Sequence, residues 1–410
     1  MRRNRNSLGV AISTAWLLFA VPAHAGGLYL STFGTPSMGT ASAGANAIAH
    51  DASTAFHNPA GMTRLDDHQA LMGLAPGFST VEFDPDADTP TPGNDGNDQG
   101  GLVPISSSSY VHKLSERWRL GFNLFSVSGA ALNPNDRWTG QNEVTKLSLF
   151  SLSFIPTVAV RLTDWLSVGA GAAVSYGKVD MQLRLPIGPD PTIKLEDLED
   201  WEVAPLASLL LEPCDGLRIG VLYQGETDFE LDGDVEIPVG AGSPGINLEL
   251  PLAQAVRTSL YWDATDAVAL LVSGGWEDWS TAKELPISAG GVSGAIPLEF
   301  QDTWYAAAGV HYRASEKWVL KTGFRYDSSA LADRDRTTAF PIDRILTFGV
   351  GGSYDWSEKL NIGVNFSWAD LGTSSVDTAF VHGSYEKNDL FLFGLSFSWK
   401  KLPWSGRGTF

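Results

Sequence analysis

The stretch DASTAFHNPAGM, residues 51–62, sets an imidazole within a few residues of two hydroxyls and a carboxylate. His57 is a possible general base, and Ser53 and Thr54 are the local candidates for a nucleophile. A serine nucleophile of the α/β-hydrolase type is announced by Gly-x-Ser-x-Gly on a strand-to-helix turn. The chain has no such pattern and no ordered triad signature, so no residue is assigned a catalytic role and the chain is read as not an enzyme. The alternative is structural. Pro59 fixes its own φ and pushes Asn58 into an extended conformation, and the Asn58 amide can satisfy backbone groups at a turn.

A second candidate is DPDADTPTPGNDGNDQGG, which begins at Asp84 like a calcium loop. Calcium loops of the helix–loop–helix type need Gly at the sixth position and a bidentate Glu at the twelfth. Thr89 and Asp95 stand there instead. The expectation is a solvated acidic loop, with no metal and no cofactor. His112, His311 and His382 show no metal-ligand spacing. Cys214 is the single cysteine, which excludes an intramolecular disulfide. The formal charge of −19 excludes a basic nucleic-acid footprint.

The elements that position these residues follow from periodicity. Six segments share one design, a strand, a short polar turn and a second strand: VHKLSERWRLGFNLFS, AVRLTDWLSVGAGAAVSY, LLLEPCDGLRIGVLYQ, LYWDATDAVALLVSGGW, HYRASEKWVLKTGFRY and GSYDWSEKLNIGVNFSW. After each turn the pattern has a period of two. Leu360, Ile362, Val364, Phe366 and Trp368 alternate with Asn361, Gly363, Asn365 and Ser367. Such alternation means strand. The polar face is small and sometimes basic, as at Arg161, Lys321 and Arg325. Trp118, Trp165, Trp262, Tyr312, Trp318, Tyr354, Trp356 and Trp399 flank the turns, as an aromatic girdle does.

These features predict an all-β, transmembrane antiparallel β-barrel of about 14 strands with short periplasmic turns and long extracellular loops. The first strand is expected near 69–83 and the last near 390–400. Loops are expected near 84–102, 130–144, 183–198, 233–247, 285–297, 329–338 and 372–385. Three of these are apolar for exposed tips. They either pack on one another over the mouth or form a greasy entry groove.

Residues 1–25 read as a cleaved signal peptide, with Arg2, Arg3 and Arg5 before an apolar run and Ala23-His24-Ala25 at the cleavage site. Residues 26–67 do not alternate and are rich in Gly, Ala, Ser and Thr, which suits a plug folded within the lumen. A short helix is expected within 42–49, with Asp51 capping the turn after it. Residues 68–401 form the barrel and 402–410 a periplasmic tail. The assembly signal is either Phe410 or Trp399.

The segment GTPSMGTASAGANAIAHDASTAFHNPAGMTRL resembles the N-terminal hatch of the FadL-type outer-membrane transporters. The resemblance lies in Gly39 to Ala49, Asp51 to Thr54, Asn58-Pro59-Ala60-Gly61 and Leu65. It implies a fourteen-stranded barrel plugged by the hatch, capture of an apolar ligand near the loops, and sideways release into the membrane at a kink in the third strand. By that resemblance Asn58, Pro59, Ala60 and Gly61 form a gating motif. Gly129, at the end of the third expected strand, is the candidate kink. Pro156 in the fourth strand is its candidate partner, facing the gap. No ligand-contact residue is carried over.

The expected function is passive uptake of hydrophobic molecules, long-chain fatty acids first, with aromatic hydrocarbons or alkanes as the alternative. A polar-solute porin, a surface receptor or adhesin, and a lipid-acting enzyme are the rivals. The implied partners are the hydrophobic ligand, outer-membrane lipid and lipopolysaccharide, and the barrel-assembly machinery during biogenesis. The protein is expected to be monomeric, with both termini periplasmic.

Overall fold

The computed structural model describes residues 34–400 except 136, 186–191, 237–243, 281, 290–291 and 298. The expected signal peptide and the 402–410 tail lie outside the described residues. The strands in chain order are β1 (Gln69–Pro85), β2 (Leu102–Lys113), β3 (Trp118–Leu132), β4 (Lys146–Arg161), β5 (Leu166–Arg184), β6 (Thr192–Cys214) and β7 (Leu217–Gln224). They continue as β8 (Thr227–Glu236), β9 (Gly245–Leu252), β10 (Gln254–Asp263), β11 (Val268–Asp278), β12 (Glu284–Ala289) and β13 (Val292–Pro297). The last are β14 (Thr303–Arg313), β15 (Trp318–Asp327), β16 (Ile345–Ser357), β17 (Leu360–Asp370), β18 (Ser374–Asp377) and β19 (His382–Lys400).

Fourteen of these close an antiparallel barrel, with β19 pairing back to β1 from Gln69–Lys400 to Pro85–Gly383. Closure pairs the first strand with the last, which matters in the bilayer, where an unpaired amide is costly. The remaining strands lie on the outer ends of the barrel strands. β8 pairs with β6, β9 with β8, β12 with β9, β13 with β12, and β18 with β19. All six short turns fall where the repeated segments place them.

The wall is apolar outside and polar inside. On β3, Arg119, Gly121 and Asn123 face inward and are buried, while Trp118, Phe122 and Leu124 are exposed. β5 shows the whole logic in one strand. Leu166, Val168, Ala170, Ala172 and Val174 face out, opposed inside by Ser167, Gly169, Gly171 and Ser175. Beyond Tyr176, which packs on Trp201 at 5.3 Å, the sense inverts. Val179, Met181 and Leu183 are then buried, and Lys178, Asp180 and Gln182 face outward. The strand has left the hydrocarbon there, and water now solvates its outer face.

That inversion corrects the loop assignments. The described residues of 183–198 and 233–247 are mostly strand, with Leu183 opposite Ile193 and Gly233 opposite Ile246. Strand also occupies much of 285–297 and part of 372–385. Of the two readings of the apolar segments, the packed one holds. Leu183, Leu195, Leu231, Val235, Leu248 and Ile287 are buried in one apolar cluster with Trp138, Trp279 and Phe340.

The plug consists of a 3-10 turn at Pro36–Thr40, helical turns at Ala45–Ile48 and Thr54–His57, and a 3-10 turn at Pro59–Arg64. They touch, respectively, β14–β17 with β19; β7 with β10; β2 with β3; and β3–β6, so the segment is ringed by the wall. The helix expected within 42–49 is present as a single turn. Asp51 caps the following turn as expected, its Oδ1 accepting from the Ser53 N–H at 2.9 Å. Close approach needs bare backbone on the wall. A Cβ on Gly220 would strike the Asn46 carbonyl, and one on Gly169 would lie 2.6 Å from the Ala60 nitrogen.

Candidate functional site: the plug contacts and an open seam

Asn58 is extended, at φ −164° and ψ 92°, and caps the 3-10 turn that Pro59 opens. This is the conformation that a residue before proline favours. Its Oδ1 accepts from the Ala60 N–H at 3.1 Å. Its Nδ2 donates to the Asn46 carbonyl at 2.6 Å and to the Leu209 carbonyl on β6 at 3.0 Å. One amide thus ties two plug turns to each other and to the wall. The Ala60 N–H also donates to Ser208 Oγ at 3.0 Å. Asn46 is held in turn by Ser259 on β10, whose hydroxyl donates to Asn46 Oδ1 at 3.0 Å. Further along, Arg161 Nη2 donates to the Thr63 carbonyl at 2.7 Å and Arg119 Nη2 to the Leu65 carbonyl at 2.8 Å. The inward arginines therefore satisfy plug carbonyls.

His57 does not form a catalytic pair. Its Nε2 lies 3.0 Å from Thr35 Oγ1 and 3.3 Å from Ser37 Oγ. Burial, with Arg257 nearby, lowers its pKa to about 4, so it is neutral at physiological pH. The Ser53 hydroxyl donates to Asp51, not to His57. In the acidic loop, Asp98 Oδ1 accepts from the Val81 and Gly100 N–H groups, and Asp95 Oδ1 from that of Asn97. These carboxylates serve turns.

The wall opens at a seam between β2 and β3. The β2–β3 ladder runs from Lys113–Arg119 to Ser107–Phe125 and ends there. β2 continues along β1 from Ser106 to Leu102, opposite Leu74 to Phe78. β3 continues along β4, after a one-residue register shift between Phe125 and Ser128. A bulge of this kind bends a strand and increases its twist. The two strands thus part above Phe125, and the wall between them lacks a ladder. Pro104 sits on this stretch of β2, an edge position that tolerates a missing N–H.

Gly129 pairs with Phe150 just past the bulge, so the irregularity begins three residues earlier than the glycine. Pro156 lies opposite Phe122, before the bulge. The interruption at Pro156 is in the β4–β5 ladder, where pairing passes from Phe154–Val174 to Thr157–Gly171. It does not face the open side of β3, which looks toward β2. The reading of Pro156 as a partner across the gap is corrected on that ground. Pro104, Phe125 and the plug residue Phe56 were missed from the sequence. A proline inside a period-two run is the available signal for an edge, and it applies to Pro104.

Apolar surface leads to the seam from above. Val103 and Ile105 of β2 face inward with Met38, Ile345, Leu390 and Leu392. Phe56, Phe125, Ile155, Leu206 and Leu222 form a further cluster beside it. Over the mouth, the buried Glu143 carboxylate accepts from the Thr338 N–H and hydroxyl at 2.8 Å each and from the Thr378 hydroxyl. It joins the β3–β4, β15–β16 and β18–β19 connections. Burial raises its pKa, against those hydrogen bonds.

A plugged outer-membrane β-barrel with an apolar cluster at its mouth and a lateral seam is the class of protein that this geometry defines. The family described as "Outer membrane protein transport protein (OMPP1/FadL/TodX)" matches residues 16–395, and the chain belongs to it. A 47 kDa outer membrane protein of Pasteurella multocida is 26% identical over 87% of this chain and 90% of its own. A long-chain fatty acid transport protein of Escherichia coli is 24% identical over the same shares. The structure of a Pseudomonas aeruginosa FadL homologue superposes with a TM-score of 0.82 at 18% identity, covering 90% of this chain and 98% of that one. The Pseudomonas putida toluene transporter TodX gives a TM-score of 0.67 at 16% identity, covering 84% and 92%. The chain is an outer-membrane transporter of hydrophobic substrates.

Proposed function

We propose that the chain takes up long-chain fatty acids and releases them sideways, through the seam between β2 and β3, into the membrane. The end of the β2–β3 ladder at Ser107–Phe125 carries this reading. Apolar side chains run from the mouth to that point, and burial at about 0.8 kcal/mol per CH₂ is ample to hold an acyl chain along them. Relatives named as long-chain fatty acid transport proteins favour this substrate. Aromatic hydrocarbons are the second reading, favoured by the likeness of fold to a toluene transporter. A plug ringed by the wall argues against an open porin. Asn58, Pro59, Ala60 and Gly61 act as the hinge of the plug, and the bulge beside Gly129 holds the seam apart.

The test is uptake of labelled oleate by cells lacking their own transporter. The wild-type chain is compared with a variant from which Val127 is deleted to restore the register. Uptake should fall at least tenfold at equal outer-membrane level. Undiminished oleate uptake would overturn lateral release. Toluene uptake without oleate uptake would move the substrate to hydrocarbons.

A further inference from the structure

Between the plug turns Ala45–Ile48 and Thr54–His57 the chain carries His50 and Asp51. His50 is exposed to a cavity of about 300 Å³ beneath the plug, on the side of the short turns, so a proton can reach its ring. The contact that His50 makes fixes its charge. Nη2 of Arg218, on β7, lies 3.1 Å from His50 Nε2. A guanidinium only donates, so Nε2 accepts, and the imidazole is neutral with its proton on Nδ1.

Tyr261 of β10 receives both partners. Its ring meets the His50 ring edge-on at 5.2 Å, and the Arg218 guanidinium lies 3.8 Å over it. The Tyr261 hydroxyl donates to Asp263 Oδ1 at 2.9 Å, which fixes the ring. The other groups that act on His50 are Arg64 of the plug, His311 of β14 and Lys321 of β15. Arg64 pairs with Glu212 of β6, and Lys321 faces Asp51. The charges acting on the His50 ring are therefore cationic. Enclosure within the barrel, and then these cations, hold its pKa well below the usual imidazole value.

We propose that His50 and Arg218 form an acid-released latch between the plug and the wall. A proton on His50 Nε2 takes the lone pair that Arg218 uses and sets two cations side by side. The His50 segment then leaves β7, while Asn58 and Arg161 still tether the later turns of the plug to β6 and β4. The docked plug favours the neutral ring. The latch is therefore complete above the ordinary imidazole range and is lost as pH falls through the lowered value. It acts on the far side of the plug from the mouth and is indifferent to which hydrophobic molecule passes, so it goes beyond the uptake reading.

The experiment is hydrogen exchange of the full chain in zwitterionic detergent, read by mass spectrometry at pH 7.5 and pH 4.5 and corrected for intrinsic rate. Exchange in residues 45–57 should be about tenfold faster at pH 4.5, the loss of one hydrogen bond to a charged group, with β19 unchanged. His50→Gln offers Arg218 an amide oxygen that does not titrate, and its exchange should stay slow at both pH values. His50→Lys sets a fixed cation beside Arg218 and should exchange fast at both. His57 lies in the same segment, and His50→Gln separates the two imidazoles. Full pH dependence in His50→Gln would overturn the proposal and move the titration to His57. Equal exchange at both pH values in the wild-type chain would also overturn it, as would an equal acceleration in β19. If His50→Lys does not fold, His50→Gln decides alone.

Discussion

Phe56 of the plug stacks on Phe125 of β3, with ring centroids 4.7 Å apart and planes 24° from parallel. Phe125 is also the last β3 residue paired with β2. The plug therefore touches the wall where the wall comes apart, and a shift of the plug must move the residue that ends the ladder. Phe56→Ala should uncouple the two. Oleate uptake should drop several-fold while heat-modifiable migration of the barrel on gels is unchanged. Phe56→Leu, which keeps apolar volume, should retain more uptake. Equal uptake in all three proteins would exclude the coupling.

Asn58 supplies an acceptor to the Ala60 N–H and donors to two carbonyls. Asn58→Ala removes all three contacts, and loss of the cap alone costs about 1 kcal/mol. Asn58→Asp keeps the acceptor but sets a charge against the Asn46 and Leu209 carbonyls. The aspartate should therefore loosen the plug at least as much as the alanine. Single-channel conductance in planar bilayers reads this directly, because a displaced plug passes ions. Lower conductance for Asn58→Asp than for Asn58→Ala would place the weight on the cap instead of the donors.

The barrel was legible because its physics is local. Leu360 to Trp368 alternates strictly, and the six turns are short and polar, so strand order and number followed from pattern. The plug was legible through its lack of alternation and the resemblance of Asn58-Pro59-Ala60-Gly61. The extracellular strands were hidden by the polarity inversion beyond Tyr176, which makes Leu183 and Ile193 read as apolar loop. The register shift of β3 lies just before Gly129. Gly129 marks the neighbourhood, but a bulge depends on registers across three strands, and one strand does not encode that. Glu143 was invisible because its partners Thr338 and Thr378 lie far away in sequence.

Glu143 should make the mouth sensitive to pH. Burial raises its pKa in the folded chain, so the folded state binds the proton more tightly than the unfolded state. Its contribution is full below the ordinary carboxylate range and is lost as pH rises through the raised value. Hydrogen exchange in 333–343 and 376–381, corrected for intrinsic rate, should be faster at pH 8 than at pH 5. Glu143→Gln should flatten that difference. Equal protection at both pH values in the wild-type chain would remove Glu143 as the titrating group.

The plug also holds backbone strain. Ala41, Ser42 and Ala49 sit at φ of 49°, 68° and 46°, a left-handed region that costs a non-glycine residue about 1–2 kcal/mol. Ala49 lies against Gly61, where an added Cβ would be 3.0 Å from its own. Ala49→Gly should relieve the strain and deepen the closed state by about 1 kcal/mol. If opening the plug limits passage, uptake should slow about fivefold, since 1.4 kcal/mol is a factor of ten. Labelling of a cysteine placed at Ser53, in a Cys214→Ser background, should slow in parallel. Slower labelling with unchanged uptake would show that the plug opens faster than the substrate crosses, and the limiting step would then lie at the seam.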